Sequence, residues 1–361
     1  MPALGSGAPR LSADSSLGGG DIVVASTIDN RLLAQAGVIA TSLAAHAPQG
    51  RRIRYIILLD GEMDAVAERL AGFDHGGVRV EIRPVANPLA HFPLITTLPP
   101  ATLLRLMLPD LLPEFSRVLY IDGDVLVRDD VSGLFDLDLG AAMIGMATDI
   151  PIRNLKRWGV FDVGRFRGTF SDYCAEILGL DPMSGPLNYV NSGVMLMQLD
   201  RLRAFGLADH ARDHLERFST ELIYADQCVL NAVLPDHIHR LDLRWNLMAT
   251  GFGYAYRRRA DAASRALFDA AARKPGIIHF TGPRKPWLLP RDESILAPKF
   301  AGQWWFYARH APEARALREG YVAARWWLPR AAPTPLPDLS FRSEAMALRR
   351  RLETIGLGRK I

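Results

Sequence analysis

The chain has 361 residues, nearly half of them apolar, so it can bury a core large enough to fold without disulfides. Two cysteines make no disulfide framework, and the apolar runs end before the roughly 18 to 20 residues that a membrane span needs. The formal net charge is only +4 and no secretion signal is visible, so we expect a cytoplasmic protein without a nucleic-acid partner.

The N-terminal part of the chain alternates strand-like and helix-like segments. Residues 1–20 are rich in Gly and Ser, which predicts a disordered lead-in. We expect residues 21–290 to form the main domain, beginning with a β-α-β-α-β series that is typical of a parallel sheet. The predicted segments are strands at Asp21–Ala25, Ile53–Leu59 and Val78–Arg83, a helix at Arg31–His46 capped by Asn30, and a helix at Glu62–Gly72.

A short apolar strand at Val118–Ile121 ends in two carboxylates one residue apart. It follows a predicted helix that starts at Pro100 and contains Arg105. Asp122 and Asp124 share one face of an extended segment, and the glycine between them permits close approach to the backbone. Two like charges this close would repel each other unless a cation lay between them. Carboxylate oxygens suit Mg²⁺ or Mn²⁺, so the pattern predicts a divalent metal.

The second half of the main domain continues the alternation. A polar interval, residues 150–170, is predicted to be a loop that covers a site. The strand after it contains Asn-Ser-Gly, and a glycine inside an apolar run indicates close backbone approach. The remaining predicted elements are strands at Met143–Thr148, Tyr189–Leu199, His237–Leu243 and Gly276–Phe280, a helix capped by Asp200, and a helix at Ala225–Leu234.

The C-terminal extension, residues 291–361, is aromatic and basic. Residues 296–361 contain 12 Lys and Arg against 5 Asp and Glu, which leaves the rest of the chain slightly acidic. The tryptophans at 304, 305, 326 and 327 are expected to pack on the main domain, as aromatic clusters at helical spacing usually do. The basic residues favour peripheral contact with an anionic membrane at its inner face.

Four sequence blocks, taken in order, resemble the family 8 retaining glycosyltransferases, which include glycogenin and bacterial lipopolysaccharide galactosyl- and glucosyltransferases. The blocks are Asp122-Gly123-Asp124, Asn191-Ser192-Gly193, Asp226-Gln227 and the nine residues HFTGPRKPW from His279 to Trp287. The resemblance implies a nucleotide-diphospho-sugar transferase (GT-A type) α/β fold. Such a fold has a mostly parallel, mixed central sheet flanked by helices, here followed by a helical C-terminal extension. The implied donor is UDP-galactose or UDP-glucose, used with Mn²⁺ or Mg²⁺, and the implied acceptor is a glycan or glycolipid of lipopolysaccharide or another surface polymer.

The resemblance also assigns roles to individual residues. Metal ligation falls to Asp122, Asp124 and His279. The nucleotide-binding set is Ala25, Thr27, Asp29 and Asn30 for uracil and ribose, with Asp122, Gly123, Gly282 and Lys285 for the diphosphate. The donor-sugar set is Arg105, Asn191, Asp226 and Gln227, of which Asp226 and Gln227 would be catalytic.

The chemistry at Gln227 favours one route to retention. A double displacement needs a carboxylate nucleophile near the anomeric carbon, and an amide is a poor nucleophile. We therefore expect transfer on the front face through an oxocarbenium-like state, with the leaving phosphate helping to deprotonate the acceptor.

Other interpretations compete with this one. An apolar strand followed by Asp-x-Asp-x-Val also fits a phosphatase of the haloacid dehalogenase type, in which Asp122 would be the nucleophile. A degenerate fold could bind nucleotide sugars without catalysis. Single residues have structural explanations too, since His279 alone would more often be a core histidine and Asp226 could simply cap its helix.

Overall fold

The computed structural model describes residues 20–95, 98–153, 159–249, 260–282, 285–288, 298–325 and 342–357. The predicted lead-in, apart from Gly20, and the tryptophans at 326 and 327 lie outside these ranges. The strands are β1 (Ile22–Ile28), β2 (Ile53–Leu59), β3 (Asp74–His75), β4 (Val78–Pro84), β5 (Arg117–Ile121), β6 (Val125–Val127), β7 (Ile144–Thr148), β8 (Phe161–Val163), β9 (Phe166–Gly168), β10 (Val190–Gln198), β11 (Ile238–Arg240), β12 (Leu247–Met248) and β13 (Ile277–His279).

Helices flank these strands along the chain. The α-helices are α1 (Leu33–His46), α2 (Ala65–Ala71), α3 (Leu108–Leu111), α4 (Ser132–Phe135), α5 (Ile150–Arg153), α6 (Phe170–Glu176), α7 (Gly185–Asn188), α8 (Leu199–Phe205), α9 (Leu207–Phe218), α10 (Ala225–Val233), α11 (Ala262–Arg273), α12 (Pro298–Ala308), α13 (Ala314–Arg325) and α14 (Arg342–Thr354). In the described part of the chain, no helix has both the length and the hydropathy to cross a bilayer.

The central sheet has eight strands in the order β11-β7-β10-β5-β1-β2-β4-β3. The four adjacent strands β5, β1, β2 and β4 are parallel to one another. Strand β10 is antiparallel to both β5 and β7, and β3 is antiparallel to β4. This is the mixed, mostly parallel α/β sheet that was expected. Because β1 and β2 lie inside the sheet and are covered on both faces, nearly every residue in them is buried.

Several predicted boundaries were wrong, for local reasons. Strand β1 extends to Ile28, because Ser26 and Thr27 are buried and pair with β2. The turn into α1 is capped by Asp29, whose carboxylate accepts a hydrogen bond from the backbone of Arg31, and not by Asn30.

Three other elements also differ from expectation. The segment that carries Arg105 is a 3₁₀ helix, Pro100–Met107, that continues as α3. The interval predicted as a loop contains α5 and a hairpin of β8 and β9. Asp200 lies in the first turn of α8 and makes no cap hydrogen bond there, because the N-cap residue is Gln198.

A small second sheet delivers the distant histidine to the acidic pair. Strand β13 pairs with both β12 and β6, and β6 begins directly after Asp124. The antiparallel register places His279 opposite Val125, and the Phe280 amide donates to the Asp124 carbonyl at 2.9 Å. Two residues 155 positions apart in the sequence are therefore neighbours in the fold.

The C-terminal helices pack on the main domain. Helices α12, α13 and α14 all contact α1. Arg128, just after β6, donates to the side chains of Gln303 on α12 and Glu344 on α14. Trp304 is 1% exposed, so the expected packing of this tryptophan is confirmed.

Candidate active site

Two carboxylates and an imidazole converge beside the carboxyl end of β5. His279 Nε2 lies 3.1 Å from Asp124 Oδ1 and 3.5 Å from Asp122 Oδ2. One ligand atom from each of the three residues lies within 4.8 Å of the others, and the imidazole is buried. Two hard carboxylate oxygens and a borderline imidazole nitrogen suit Mn²⁺ or Mg²⁺, so the donor set fits the expected metal.

Gly193 leaves the space that the His279 imidazole occupies. A Cβ atom at this position would lie 2.0 Å from His279 Cε1 and 3.0 Å from Asp122 Oδ2. The Gly193 carbonyl also accepts a hydrogen bond from the Asp122 amide at 2.8 Å. The close backbone approach expected at Asn-Ser-Gly is therefore an approach to the cluster of Asp122, Asp124 and His279.

Gly123 is small for a different reason. A Cβ atom there would lie 2.9 Å from Ile28 Cγ2 and 3.0 Å from Leu32 Cδ1. The last residue of β1 and the turn after it thus fill the space beside Gly123. The close approach predicted at this glycine is made by protein side chains.

Asn246 orients the imidazole. His279 Nδ1 lies 2.9 Å from Asn246 Oδ1, and Asn246 Nδ2 donates to Asn191 Oδ1 at 2.8 Å. The second bond fixes the amide orientation of Asn246, so Nδ1 of the histidine is the donor in the bond to Asn246 and Nε2 faces the acidic pair. Asn246 ends a short 3₁₀ helix, Leu243–Asn246, that contacts β13. It was not among the predicted site residues, because nothing in its local sequence indicates that contact.

Lys285 contacts the cluster at Asp124. Its ammonium donates to Asp124 Oδ2 and, at 2.6 Å, to the carbonyl of Phe280. Burial alone would raise the pKa of Asp124, but His279 and Lys285 outweigh it and hold that pKa well below its usual range. Gly282 lies between His279 and Lys285 in the sequence. Its φ of +77° is a backbone conformation that favours glycine.

Arg105 joins the acidic pair to the predicted sugar-binding residues. The guanidinium, 4% exposed, lies 2.7 Å from Asp122 Oδ1 and 3.2 Å from Asp226 Oδ2. It lies over the ring of Tyr120, whose hydroxyl donates to Asp122 Oδ1 at 2.8 Å. Because Oδ1 of Asp122 is engaged by two donors, Oδ2 is the oxygen that faces His279.

A buried polar network extends from Asn191 on β10 to α10. Asn191 Nδ2 donates to Gln227 Oε1 at 2.8 Å and to Asp149 Oδ2 at 3.1 Å, and Gln227 Nε2 donates to the same Asp149 oxygen at 3.1 Å. Ser192 Oγ donates to Asp226 Oδ2 at 2.8 Å. Three of the predicted donor-sugar residues, Asn191, Asp226 and Gln227, thus lie together, with Arg105 bonded to Asp226.

Asp149 belongs to this network but was not a predicted site residue. It follows β7 as Asp122 follows β5, and that shared pattern of an acid after a buried strand was the signal available in the sequence. Burial raises the pKa of Asp149 despite the hydrogen bonds it accepts, and burial raises the pKa of Asp226 to about 6, since Arg105 offsets only part of the lost hydration.

The backbone is strained where the network meets α10. Ala225 has φ +40°, the one positive φ at a non-glycine residue in the described ranges. This left-handed conformation costs an alanine roughly 1–2 kcal/mol. It lies directly before Asp226, so packing holds the start of α10 in a conformation that aims Asp226 and Gln227 inward.

Of the residues predicted for uracil and ribose, Ala25 and Thr27 lie within β1, and Asp29 and Asn30 follow it. The Thr27 hydroxyl is 3.2 Å from the Tyr120 hydroxyl, which links it to Asp122. Ala25 is buried in the sheet. Asp29 pairs with Arg31 at 2.6 Å, and Asn30 donates to the carbonyl of Glu62.

Comparison with known sequences gives a family match over most of the main domain. A family model described as "Glycosyl transferase family 8" matches residues 23–289. General stress protein A of Bacillus subtilis is 26% identical over 271 residues, which cover 73% of this chain and 86% of that protein. Glycosyltransferase GlyB of Streptococcus pneumoniae is 27% identical over 221 residues, which cover 60% of this chain and 44% of that protein.

Solved structures share the fold. The bifunctional glycosyltransferase WbbM aligns with a TM-score of 0.71 at 20% identity, covering 83% of this chain and 51% of that one. The galactosyltransferase LgtC, solved with donor and acceptor sugar analogues, aligns with a TM-score of 0.62 at 23% identity, covering 89% and 99%. The chain thus spans about half of WbbM and less than half of GlyB.

Proposed function

The chain belongs to glycosyl transferase family 8, and we propose that it transfers a hexose from UDP-galactose or UDP-glucose to a glycan or glycolipid acceptor with retention of configuration. The observation that carries this proposal is the convergence of Asp122, Asp124 and His279 next to Lys285, on one side of the buried network around Gln227. A cation-binding cluster beside a buried polar network is what a sugar diphosphate requires. Family membership also replaces the phosphatase interpretation of Asp122.

The three cluster residues would hold Mn²⁺, with Mg²⁺ as the alternative. When bound, such a cation supplies Lewis-acid stabilisation of the charge that grows on the departing nucleotide diphosphate. The protein prepares this role by orienting His279 through Asn246 and by engaging Asp122 Oδ1 with Arg105 and Tyr120.

Lys285 and the turn at Gly282 would hold the diphosphate. In the structure the Lys285 ammonium is paired with the Asp124 carboxylate. When a donor binds, diphosphate oxygens would replace this carboxylate as the anionic partner of the ammonium. The predicted uracil and ribose site at Ala25, Thr27, Asp29 and Asn30 would hold the nucleoside, and Thr27 is linked to the cluster through Tyr120.

Arg105, Asn191, Asp226 and Gln227 would surround the transferred hexose. Gln227 is a weak nucleophile to begin with, and its Oε1 already accepts from Asn191 Nδ2 at 2.8 Å and from the Ser192 amide at 3.3 Å. Those bonds lower its availability for attack on the anomeric carbon, which supports front-face transfer. A related LgtC structure, 25% identical, carries a glutamine-to-glutamate change described as an active-site mutation, which supports an active-site role for a glutamine in this family.

A lipid-linked acceptor would bring the enzyme to the inner face of the membrane, in lipopolysaccharide or other surface-glycan synthesis. The exposed basic residues of α14, Arg349 and Arg350, support contact with anionic lipid. Co-sedimentation with phosphatidylglycerol vesicles should be lost when Arg349 and Arg350 are both replaced by glutamine, a change that leaves the buried face of α14 intact. Undiminished co-sedimentation would argue against membrane contact through this segment.

The test of the proposed function is a screen of nucleotide sugars for hydrolysis with and without Mn²⁺. We expect Mn²⁺-dependent hydrolysis of a UDP-hexose, no hydrolysis of p-nitrophenyl phosphate, and a loss of at least 100-fold in Asp124→Asn. Binding of UDP-hexoses without turnover against any acceptor or water would favour the non-catalytic binding module. Hydrolysis of p-nitrophenyl phosphate alone would contradict the proposal.

A further inference from the structure

The turn that carries Lys285 is held from outside by the C-terminal extension. Trp305 Nε1, on α12, donates to the carbonyl of Pro286 at 3.0 Å. On the adjacent position of the turn, the ring of Trp287 packs against Trp304 with centroids 5.1 Å apart. Two consecutive tryptophans of α12 therefore contact the two residues that follow Lys285.

Helix α12 is itself fixed to the main domain. Its residues at positions 300, 303, 304 and 307 lie on one buried face, the spacing of an amphipathic helix. On that face Gln303 accepts a hydrogen bond from Arg128, and the Tyr307 hydroxyl lies 2.9 Å from His46 Nε2. The helix thus provides Trp305 with a fixed position relative to β6 and α1.

The position of the Lys285 ammonium depends on its backbone. A lysine side chain is a flexible four-carbon stem with a strongly hydrated charge, so pairing with an anion requires that the stem begin at the right place. The turn contains the backbone bond from the Leu288 amide to the Lys285 carbonyl at 3.1 Å, and Pro286 has no amide hydrogen of its own to donate. The Pro286 carbonyl is where α12 holds the backbone of the turn by a hydrogen bond, next to the packing of Trp287 on Trp304.

We propose that Trp305 is a positioning residue for Lys285 and, through it, for the diphosphate of the donor. The inference rests on the proposed function, because it assumes that Lys285 binds a nucleotide diphosphate. It assigns to the C-terminal extension a part in donor binding that is independent of any membrane. Trp305 touches no reacting atom in this account and acts only through the turn.

Trp305→Phe tests this proposal, because it removes the indole N–H while keeping an aromatic ring. Binding of UDP and of uridine is measured by calorimetry at saturating Mn²⁺. We expect UDP to bind about fivefold more weakly, which corresponds to the free energy of one ordinary hydrogen bond. Uridine should bind unchanged, because it lacks the diphosphate. Trp305→His, which retains a ring N–H, should restore part of the UDP affinity.

A double-mutant cycle with Lys285→Met separates positioning from general damage. If Trp305 acts through Lys285, Trp305→Phe should weaken UDP binding in the wild-type background and have no further effect in Lys285→Met. Phe306→Leu, a truncation at the next position of α12, is the matched control and should leave UDP binding unchanged. Thermal melting confirms that each variant is folded.

Three results would overturn the inference. They are unchanged UDP affinity in Trp305→Phe, an equal loss for UDP and uridine, and additive losses with Lys285→Met. If the wild-type protein binds UDP no better than uridine in the presence of Mn²⁺, the proposed function fails and this inference falls with it. If the wild-type protein prefers UDP and only the Trp305 results disagree, the proposed function stands.

Discussion

At the scale of single residues, the convergence of Asp122, Asp124 and His279 depends on the absence of a side chain at Gly193. A Cβ atom on residue 193 would lie only 2.0 Å from Cε1 of the His279 imidazole. No rotation of a buried ring held by Asn246 relieves such an overlap without moving Nε2 away from the acidic pair. The spacing of ligand atoms around a cation tolerates only a few tenths of an ångström.

Gly193→Ala should therefore weaken Mn²⁺ binding at least tenfold. Electron paramagnetic resonance of free Mn²⁺ measures the affinity directly, and circular dichroism shows whether the fold survives. Gly302→Ala is the control, because its Cβ would meet no atom within 4 Å and alanine favours a helix by about 1 kcal/mol. Wild-type Mn²⁺ affinity in Gly193→Ala would contradict the geometry of the cluster.

A second prediction for a single residue concerns the charge of Lys285. Its positive charge sits beside Asp124, so it repels a metal ion when no diphosphate is present. Lys285→Met should bind Mn²⁺ alone as tightly as the wild-type protein or more tightly, and should bind UDP with Mn²⁺ at least tenfold more weakly. Calorimetric titrations with Mn²⁺ added before UDP, and with UDP added before Mn²⁺, separate the effect on metal affinity from the effect on UDP affinity. Weaker binding of Mn²⁺ alone in Lys285→Met would be inconsistent with this charge arrangement.

At the scale of elements, α1 and α12 meet through a histidine that is neutral in the folded state. His46 contacts the Tyr307 hydroxyl, and burial, with Arg128 and Arg351 nearby, lowers its pKa to about 3. The unfolded chain takes up a proton at this histidine below about pH 6.5, whereas the folded chain does so only near pH 3. Stability linked to His46 is therefore lost as the pH falls between these values.

The free energy of unfolding should accordingly fall by about 3 kcal/mol between pH 6.5 and pH 4 on account of His46 alone. His46→Gln keeps a hydrogen-bonding partner for Tyr307 but does not titrate, so its urea unfolding should depend less steeply on pH over this range. Equal slopes for the two proteins would show that folding does not change the pKa of His46.

The elements also show what could be predicted from the sequence. The β-α-β-α-β series and the strand before Asp122 follow from apolar runs and turns, which are local signals. A helix around Arg105 was predicted, but its 3₁₀ form and the hairpin of β8 and β9 were missed, because tertiary contacts decide them. Arg165, at the hairpin tip, pairs with the buried Glu221, 56 residues further along the chain.

The site was predictable only where residues of known chemistry follow a strand or belong to a family motif. Asp122, Asp124, His279 and Lys285 do so, and the structure brings them together. Asn246 and Tyr120 orient those residues, but an asparagine in a short helix and a tyrosine inside an apolar strand carry no local sign of that role.

At the scale of the whole molecule, the C-terminal helices are part of the folded core. Leu348 and Leu352 on α14 are buried, and the Arg351 guanidinium donates to the Ala47 carbonyl at the end of α1. The exposed side of the same helix carries Arg349 and Arg350. One helix can thus pack on α1 with one face and present basic residues with the other.

Leu352→Ala should lower the free energy of unfolding by about 2–4 kcal/mol, because it removes a fully buried leucine. Met346→Ala, at a position 60% exposed on the same helix, should change it by less than about 0.5 kcal/mol. Urea denaturation followed by tryptophan fluorescence measures both, and equal stability of the two variants would mean that α14 is not docked in solution.

The central claim is that Asp122, Asp124 and His279 hold one divalent cation beside Lys285. Anomalous diffraction from crystals grown with Mn²⁺ and UDP tests this most directly. We predict one manganese peak bounded by the three side chains, with diphosphate oxygens between it and the Lys285 ammonium. A manganese peak elsewhere, or bound UDP whose diphosphate lies away from these residues, would contradict the account.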